Sequence, residues 1–317
     1  MSATAPLVVE VERSGLIEST HPVDVAVTRP DGTLVAWAGD PETVAYLRSS
    51  AKPVQALACL ENGWMPSSVD QIAIACGSHN GEREHVDAVN AVLGEGRVTE
   101  QDLLCPPAWP AIPEAAAAAG RPARITHNCS GKHAAMLAAA RDNDWPLVDY
   151  RAADHPLQRA VVATLERLAG RRARHTGVDG CGVPTFAFSL AESARVFAQL
   201  AIEGRRPLDA MVAVPFLVAG SGRLCTAVLS ALPRVAVKIG AEGLACGVLR
   251  DEGLGFALKS RDGTQRARDV ATIGVLGILG AVGDPLPDVL APHGDPAVLG
   301  GGERVGSIRL RGMLERA

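Results

Sequence analysis

Hydrophobic and polar residues alternate along the first 40 residues, which is the period of half-buried β-strands. The segments LVVEVERSG and LIEST predict a hairpin within residues 7–20. The segment VDVAVTRPDGTLVAWAGD, residues 23–40, contains two alternating runs on either side of a Pro-Asp-Gly turn. This part of the chain is therefore predicted to form antiparallel strands.

From Ser49 to about residue 204 the pattern changes to the period of an α-helix. Positions 54, 57, 58 and 61 follow helical spacing, and Asn62-Gly63 provides a stop signal. Gly/Pro-rich connectors such as CPPAWPAIPE separate this helix from those that follow. Further helices are predicted at 82–93, 133–142, 156–169 and 190–203.

Strand patterns return after residue 222. The segments RVAVKIG, GLACGVLR and LGFALKS each end in glycine or a charged turn, a helix follows at 265–281, and SIRLRG predicts a last strand. We therefore predict an α+β fold, in which an antiparallel sheet is built from both chain ends around a largely helical middle region. The expected division is a sheet part at 1–48 plus 220–317 and a helical part at 49–219, packed closely enough to form one unit.

The composition is that of a globular protein, with 47% hydrophobic and 21% charged residues among 317. A net charge of −4, with a pI near 6.1, argues against nucleic acid or an anionic membrane as the main partner. Aromatic residues make up 3%, too few for stacking platforms. The longest apolar stretch, 270–282, is too short to span a bilayer, and the N-terminal residues lack the pattern of a signal peptide, so we expect a cytoplasmic location without membrane contact.

Lysine is rare in this chain, which makes each lysine a candidate for chemistry that arginine cannot perform. Of the 31 basic residues, four are lysine and the remaining 27 are arginine. An amine can lose its proton at workable pH, whereas a guanidinium cannot. In RSSAKPVQ, Ser49 and Lys52 lie three residues apart at a predicted helix start, so their side chains share one face. A neutral Lys52 could take the serine proton, although Ser49 could also be a simple helix cap.

Two further stretches contain the same residue types. The apolar run at 72–76 ends in the polar loop Gly77-Ser78-His79-Asn80-Gly81, where Ser78 could contact substrate or merely cap a helix. Lys238 lies within an otherwise apolar strand, and Lys238-Ile239-Gly240 has the K-x-G form that accompanies S-x-x-K in penicillin-binding proteins. Lys259 lies at a strand end beside a turn, where ordinary solvation explains it.

Cysteine and lysine occur together at a third position. The stretch HNCSGKHAAM contains Cys129, Lys132 and His133, and VDGCGVP adds Asp179 and Cys181 about 50 residues later. Seven cysteines, an odd number, favour free or metal-ligating thiols over a disulfide framework. Two thiolates and a nitrogen donor suit zinc, but two buried structural cysteines would explain the same residues.

The five stretches RSSAKP, CGSHNGE, HNCSGKH, VDGCGVP and VKIGAEG, in this order, resemble the Rhizobium-etli-type (class 3) L-asparaginase family over residues 7–312. The resemblance implies a fold similar to serine β-lactamases and glutaminases. It implies two catalytic pairs, Ser49 with Lys52 and Ser78 with Lys238. It also implies one Zn²⁺ per chain. The implied zinc ligands are Cys129, Lys132 and Cys181, and the implied substrate-binding residues are Arg48, Asp179 and His133.

The function implied by this resemblance is hydrolysis of L-asparagine to L-aspartate and ammonia by a homodimeric enzyme. Either Ser49 or Ser78 could be the nucleophile, because each has a lysine candidate. Glutaminase activity, or another serine amidohydrolase activity of the same fold such as β-lactam hydrolysis, is the first alternative. A zinc- or amino-acid-binding relative without catalysis is the second.

Overall fold

A computed structural model describes residues 3–317 and contains twelve strands and twelve α-helices. The strands are β1 (Leu7–Arg13), β2 (Leu16–Thr28), β3 (Leu34–Ala38), β4 (Val44–Tyr46), β5 (His175–Val178), β6 (Pro184–Ser189), β7 (Val235–Ile239), β8 (Leu244–Leu249), β9 (Leu254–Ser260), β10 (Ala297–Gly300), β11 (Glu303–Arg311) and β12 (Glu315–Arg316). The helices are α1 (Lys52–Glu61), α2 (Val69–Ala75), α3 (Arg83–Glu95), α4 (Pro113–Ala119), α5 (Ser130–Asp142), α6 (Pro156–Ala169), α7 (Leu190–Glu203), α8 (Arg205–Ala213), α9 (Pro215–Val218), α10 (Leu224–Ala231), α11 (Gln265–Ile278) and α12 (Ala291–Gly294).

Nine of the strands form one antiparallel sheet from both ends of the chain. The order along its main path is β10-β11-β1-β2-β9-β8-β7, and β3 pairs with both β2 and β12. The long strand β2 is the centre, because it pairs with β1 along its first half and with β9 and β3 along its second. The predicted α+β fold with a sheet built from both ends is therefore confirmed.

Helices cover the sheet. Helix α7 packs against β2, β8 and β9, and α11 packs against β1, β2, β8, β9 and β11. The approach of α7 is close enough to require a glycine, since a Cβ on Gly255 would lie 2.0 Å from the Ala194 carbonyl oxygen. Strands β7 and β8 are buried along their whole length, which is typical of a sheet covered on both faces.

The helical middle region brings the ends of α1, α2 and α5 together beside the sheet. Helix α5 packs against α1, α2 and α3, and the middle of α5 is almost wholly apolar and buried. Strand β7 forms the edge of the sheet and contacts the 3₁₀ turn Arg48–Ala51 that leads into α1. The predicted functional stretches therefore converge at this edge.

Three predictions of local structure were incomplete. A second sheet, in the order β4-β6-β5, was not predicted; its strands β5 and β6 lie in the middle region, whereas β4 comes from the predicted sheet part at 1–48. Helix α10 precedes the returning strands, although strands were expected directly after residue 222. The helix predicted at 265–281 ends at Ile278. Across residues 3–317, no helix is both long enough and apolar enough to cross a membrane.

Candidate active site

Ser49 lies in a tight 3₁₀ turn, Arg48–Ala51, directly before helix α1. Pro53 follows in the first turn of α1, where its missing N–H leaves no helical hydrogen bond unmade. The Ser49 hydroxyl is half-buried and caps neither the turn nor the helix. A capping role, which was the alternative explanation for this serine, is therefore wrong for the observed geometry.

Lys52 is fully buried, with none of its surface exposed. Its Nζ donates to the carbonyl oxygen of Gly77 and, at 3.0 Å, to that of Asn128. Burial lowers the pKa of Lys52, the neighbouring Cys129 thiolate opposes this shift, and Lys132 adds to it. Within the described chain no hydrogen bond joins this amine to Ser49. A neutral Lys52 would use both N–H groups on the two carbonyls, which leaves its lone pair free to accept a proton.

Ser78 and Lys238 are in direct contact. The Lys238 Nζ atom, on β7, lies 2.8 Å from the Ser78 hydroxyl, which stands in the loop after α2. The backbone N–H of Ser78 donates to the Val218 carbonyl at 2.8 Å, so the loop is held in place. Ser78 is 4% exposed and Lys238 is completely buried. Burial lowers the pKa of Lys238 to about 7, opposed by Cys225 and assisted by Lys52.

Cys129, Lys132 and Cys181 come together at the start of α5. Cys129 is the residue before the helix, Lys132 lies in its first turn, and both side chains are buried. A hydrogen-bonding contact with Cys181, together with the charges of Lys52 and Lys132, holds the pKa of Cys129 well below its ordinary value despite burial. The same contact and burial raise the pKa of Cys181. The two thiols therefore share one proton unequally.

Asp179 connects this cluster to the nucleophile turn. Its Oδ1 accepts from Arg48 Nε at 2.5 Å and from the Gly180 N–H at 2.9 Å. Its Oδ2 lies 3.7 Å from both Lys132 Nζ and Cys181 Sγ. Burial alone would raise the pKa of Asp179, but the Lys132 and Arg48 charges hold it below its usual value.

Arg48 itself has a strained backbone, which supports a functional role for its position. Its φ of 48° lies in the left-handed region that residues other than glycine rarely adopt. Such strain costs on the order of 1–3 kcal/mol and persists where the surroundings determine the conformation. Here the left-handed turn accompanies the ion pair between the Arg48 side chain and Asp179.

His133 is fully buried next to Lys132. The Tyr150 hydroxyl accepts from the Leu104 N–H at 2.9 Å and forms a second hydrogen bond, 2.6 Å long, with His133 Nδ1. The Nε2 atom of His133 is buried, and it has no hydrogen-bond partner among residues 3–317. Burial, then the charge of Lys132, holds the pKa of His133 well below its ordinary value. The expected contact between His133 and a substrate stays a prediction.

Several neighbours of these residues were not predicted. His79 is buried, and its Nε2 donates to the Ser130 hydroxyl at 3.0 Å. Asn80 accepts from Arg223 Nη1 at 2.8 Å. Ser50 is fully buried and donates to the Lys238 carbonyl. Only the closeness of His79 and Asn80 to Ser78 in the sequence could have indicated them, because their partners are far away along the chain.

The donor set at Cys129, Lys132 and Cys181 fits a zinc ion. Lys132 Nζ is buried and makes no hydrogen bond within the described residues, so its lone pair would be available once the proton is lost. Two buried thiols supply soft ligands. Among residues 3–317, no three His, Cys, Asp or Glu side chains are grouped as metal ligands, so a zinc site here requires the lysine.

Comparison with known proteins gives a family match over nearly the whole chain. The sequence model of the family described as L-asparaginase II matches residues 9–310. No curated protein sequence matches this chain.

Solved structures resemble the chain more distantly. Mglu in its glutamate form has a TM-score of 0.48 and 17% identity, with 82% of this chain and 61% of Mglu covered. A β-lactamase from Mycobacterium bovis has a TM-score of 0.42 and 16% identity, covering 80% of this chain and 94% of its own. A Bacillus glutaminase has a TM-score of 0.41 and 14% identity, covering 77% and 84%. The chain thus spans 61% of the length of Mglu.

Proposed function

The chain belongs to the L-asparaginase II family of amidohydrolases, and from this premise we propose that it hydrolyses L-asparagine to L-aspartate and ammonia. The observation that supports this most directly is the 2.8 Å contact between the Lys238 amine and the Ser78 hydroxyl. A lysine with a pKa of about 7 is half neutral at physiological pH and can therefore both accept and return a proton.

We assign the attack to Ser49 rather than Ser78. Ser49 is half-buried and stands next to Arg48, whereas Ser78 is 4% exposed. The Lys52 amine, three residues along the same turn, would take the Ser49 proton through its free lone pair. This step requires the Ser49 hydroxyl to turn towards Lys52 when substrate binds, since catalytic hydrogen bonds are often completed only in the substrate complex.

The second pair, Ser78 and Lys238, would act after the attack. Attack on the side-chain amide carbon produces a tetrahedral intermediate, and donors from the Ser78 and Lys238 region, with backbone N–H groups, stabilise its oxyanion. The amide nitrogen receives a proton and leaves as ammonia, which forms an acyl-serine. A water molecule then adds to the acyl carbon and gives up a proton, releasing aspartate and restoring the Ser49 hydroxyl.

Substrate recognition would use the ion pair between Arg48 and Asp179. A free α-amino acid carries a carboxylate and an ammonium group, which are the complements of these two side chains. Binding would replace one internal ion pair by two contacts to the zwitterion. Both groups already stand beside the Ser49 turn, so the exchange would place the substrate there.

We also propose that Cys129, Lys132 and Cys181 bind one zinc ion, which would supply a fixed positive charge next to Asp179. These residues would orient Asp179, whose Oδ2 lies within 3.7 Å of both Lys132 and Cys181. The proposed cytoplasmic homodimer stays a prediction.

Ammonia release tests the proposal. The wild type should release ammonia from asparagine, and Ser49→Ala should reduce kcat by about 10³-fold or more. Ammonia release from glutamine, or ring opening of a chromogenic β-lactam, at a higher rate than ammonia release from asparagine would make that compound the substrate in place of asparagine. If Ser78→Ala instead abolishes acyl-enzyme formation while Ser49→Ala retains it, Ser78 is the nucleophile. Asparagine binding without turnover by the wild type would support the non-catalytic alternative.

A further inference from the structure

Side chains from three other elements hold the backbone at the end of β7. The Ser50 hydroxyl, from the nucleophile turn, donates to the Lys238 carbonyl at 2.9 Å. The Ile239 N–H donates to Cys225 Sγ, from α10, at 3.5 Å. Arg268 Nη1, from α11, donates to the Gly240 carbonyl at 3.2 Å. Three consecutive residues that include Lys238 are therefore fixed from outside the sheet.

Strand β7 needs this support because of its place in the fold. It is the edge of the large sheet and pairs with β8 alone. An edge strand has main-chain groups without a neighbouring strand, so side chains or helices must satisfy and position them. Contact with α10 covers this edge, while Ser50 and Arg268 act on the carbonyls that flank Ile239.

The end of β7 is also in direct contact with the nucleophile turn. A Cβ at Gly240 would lie 2.9 Å from the Leu47 carbonyl oxygen and 3.1 Å from the Ser50 hydroxyl. Contacts this short leave no room for a side chain. The turn that bears Ser49 and the strand that bears Lys238 are consequently fixed relative to each other at this point.

Arg268 is an unusual residue for its environment. It is 3% exposed, and its charge is balanced by Asp269, which accepts from Arg268 Nε at 2.8 Å and from Nη2 at 2.6 Å. Asp269 is itself only partly buried, and ion pairs of this kind contribute little net stability compared with apolar residues of similar size. The planar fork of arginine allows it to bind Asp269 on one edge and still direct Nη1 to the Gly240 carbonyl.

We propose that Ser50 and Arg268 are positioning residues of the hydrolysis, which hold the β7 end so that the Lys238 amine stays on Ser78 beside the Ser49 turn. This inference rests on the proposed function. Neither residue contacts the Ser78 hydroxyl, so each acts through the backbone of β7.

Loosening this attachment should move the amine and admit water. The groups whose charges act on Lys238 come from several elements, and they are Cys76, Cys225, Lys52, Arg223 and Cys129. Ser50→Ala leaves all of them in place, whereas Arg268→Met also removes the positive charge of Arg268 itself. A change in the pKa of Lys238 in Ser50→Ala would therefore report its position and burial rather than a lost charge, and Arg268→Lys, which keeps the charge, serves the same purpose for Arg268.

Kinetics of matched variants test the proposal. Ser50→Ala and Arg268→Met should each lower kcat by about 10- to 100-fold with little change in KM, because misplacement of about 1 Å has effects of this size. Ser193→Ala is the control for Ser50, since Ser193 is fully buried and its hydroxyl has no partner among residues 3–317. Arg195→Met is the control for Arg268, because Arg195 donates to the carbonyls of Pro30 and Ala169 far from the site. Both controls should stay within about twofold of wild type.

A second measurement does not depend on turnover. Because the chain has four lysines, the NMR spectrum of ¹³Cε-labelled lysine contains only a few signals. The signal that is missing from the spectrum of Lys238→Met belongs to Lys238. In Ser50→Ala and Arg268→Met the Lys238 pKa should rise by about one unit or more towards its ordinary value, with the pH–rate profile shifted equally. Arg268→Lys should be intermediate, since one ammonium can serve Asp269 or Gly240 but hardly both.

The outcomes distinguish failure of the proposed hydrolysis from failure of the positioning role of Ser50 and Arg268. If the wild type hydrolyses no amide, the proposed function fails, and the lysine titration still decides whether Ser50 and Arg268 position Lys238. If both variants keep the wild-type kcat and the wild-type Lys238 titration, the positioning role is refuted. If they lose activity while the Lys238 titration and its contact with Ser78 in a crystal structure stay unchanged, the positioning role is equally refuted. Folding of each variant is checked by circular dichroism.

Discussion

Replacing Lys52 by arginine tests whether the site requires an amine or only a positive charge. Both side chains are cationic when protonated, but only the amine can become neutral near pH 7. If Lys52 is the base that activates Ser49, Lys52→Arg should lower kcat by about 10²- to 10⁴-fold, the usual contribution of general base catalysis. If Lys52 acts merely as a charge, the arginine variant should keep substantial activity.

The structure also predicts the effect on stability. Lys52 is completely buried, and its amine has two carbonyl acceptors, Gly77 and Asn128. A guanidinium has five N–H donors, so about three would stay unpaired in the same space. At about 1–3 kcal/mol for each unpaired donor, the cost is roughly 3–9 kcal/mol, comparable with the whole stability of a domain. Lys52→Met must therefore be measured alongside Lys52→Arg, because methionine introduces no hydrogen-bond donor.

The assay measures ammonia release and the midpoint of thermal unfolding for both variants. We expect Lys52→Met to fold and to be as inactive as Lys52→Arg. Lys259→Arg is the matched control, since Lys259 is half-buried on β9 and its amine donates to the Ser260 carbonyl. Small primary amines added to Lys52→Ala should restore part of the activity. The base argument is refuted if folded Lys52→Arg or Lys52→Met keeps more than about a tenth of wild-type kcat.

Three other predictions concern pH, metal and substrate binding. Because burial lowers the pKa of Lys238 to about 7, this residue binds more protons in the unfolded chain than in the folded one above pH 7. Its contribution to stability should therefore rise by roughly 2 kcal/mol between pH 7 and about 8.5, and Lys238→Met should remove this contribution in denaturant unfolding. Elemental analysis should find about one zinc per chain, lost in Cys181→Ala and retained in Cys59→Ala. Asp179→Asn should raise KM by about tenfold or more with a smaller change in kcat, and an unchanged KM would exclude Asp179 from substrate binding.

The large elements of the fold follow from local patterns, whereas the small sheet does not. The helices at 156–169 and 190–203 were predicted to the residue, because each has a clear apolar face and a glycine directly after it. Strands β4 and β5 have three and four residues. Strands this short have too few residues to show an alternating pattern. In addition, β4 pairs with residues of β6 that lie more than 100 positions later in the chain.

The site residues could be predicted as types but not as contacts. Rarity of lysine singled out Lys52 and Lys238, and both are buried beside polar partners. The sequence could not indicate that Lys52 is held by two carbonyls, since backbone acceptors have no sequence signal. It also could not show that Ser50 turns inwards to β7 while Ser49 stays half-exposed, because that difference arises from the turn geometry.

The charges around the site explain why the amines there are coupled. Lys52, Lys132 and Lys238 are all buried, and the Cys129 thiol and the Asp179 carboxyl beside Lys132 have lowered pKa values, which favours their negative forms. Three buried lysine cations would outnumber these two anions, and burying an unpaired charge costs too much free energy. Because Cys129 and Asp179 favour the charged form of Lys132, the shortage of negative charge falls on Lys52 and Lys238, whose pKa values are lowered. Neutrality of Lys52 and Lys238 is thus a property of the whole cluster of buried charged groups.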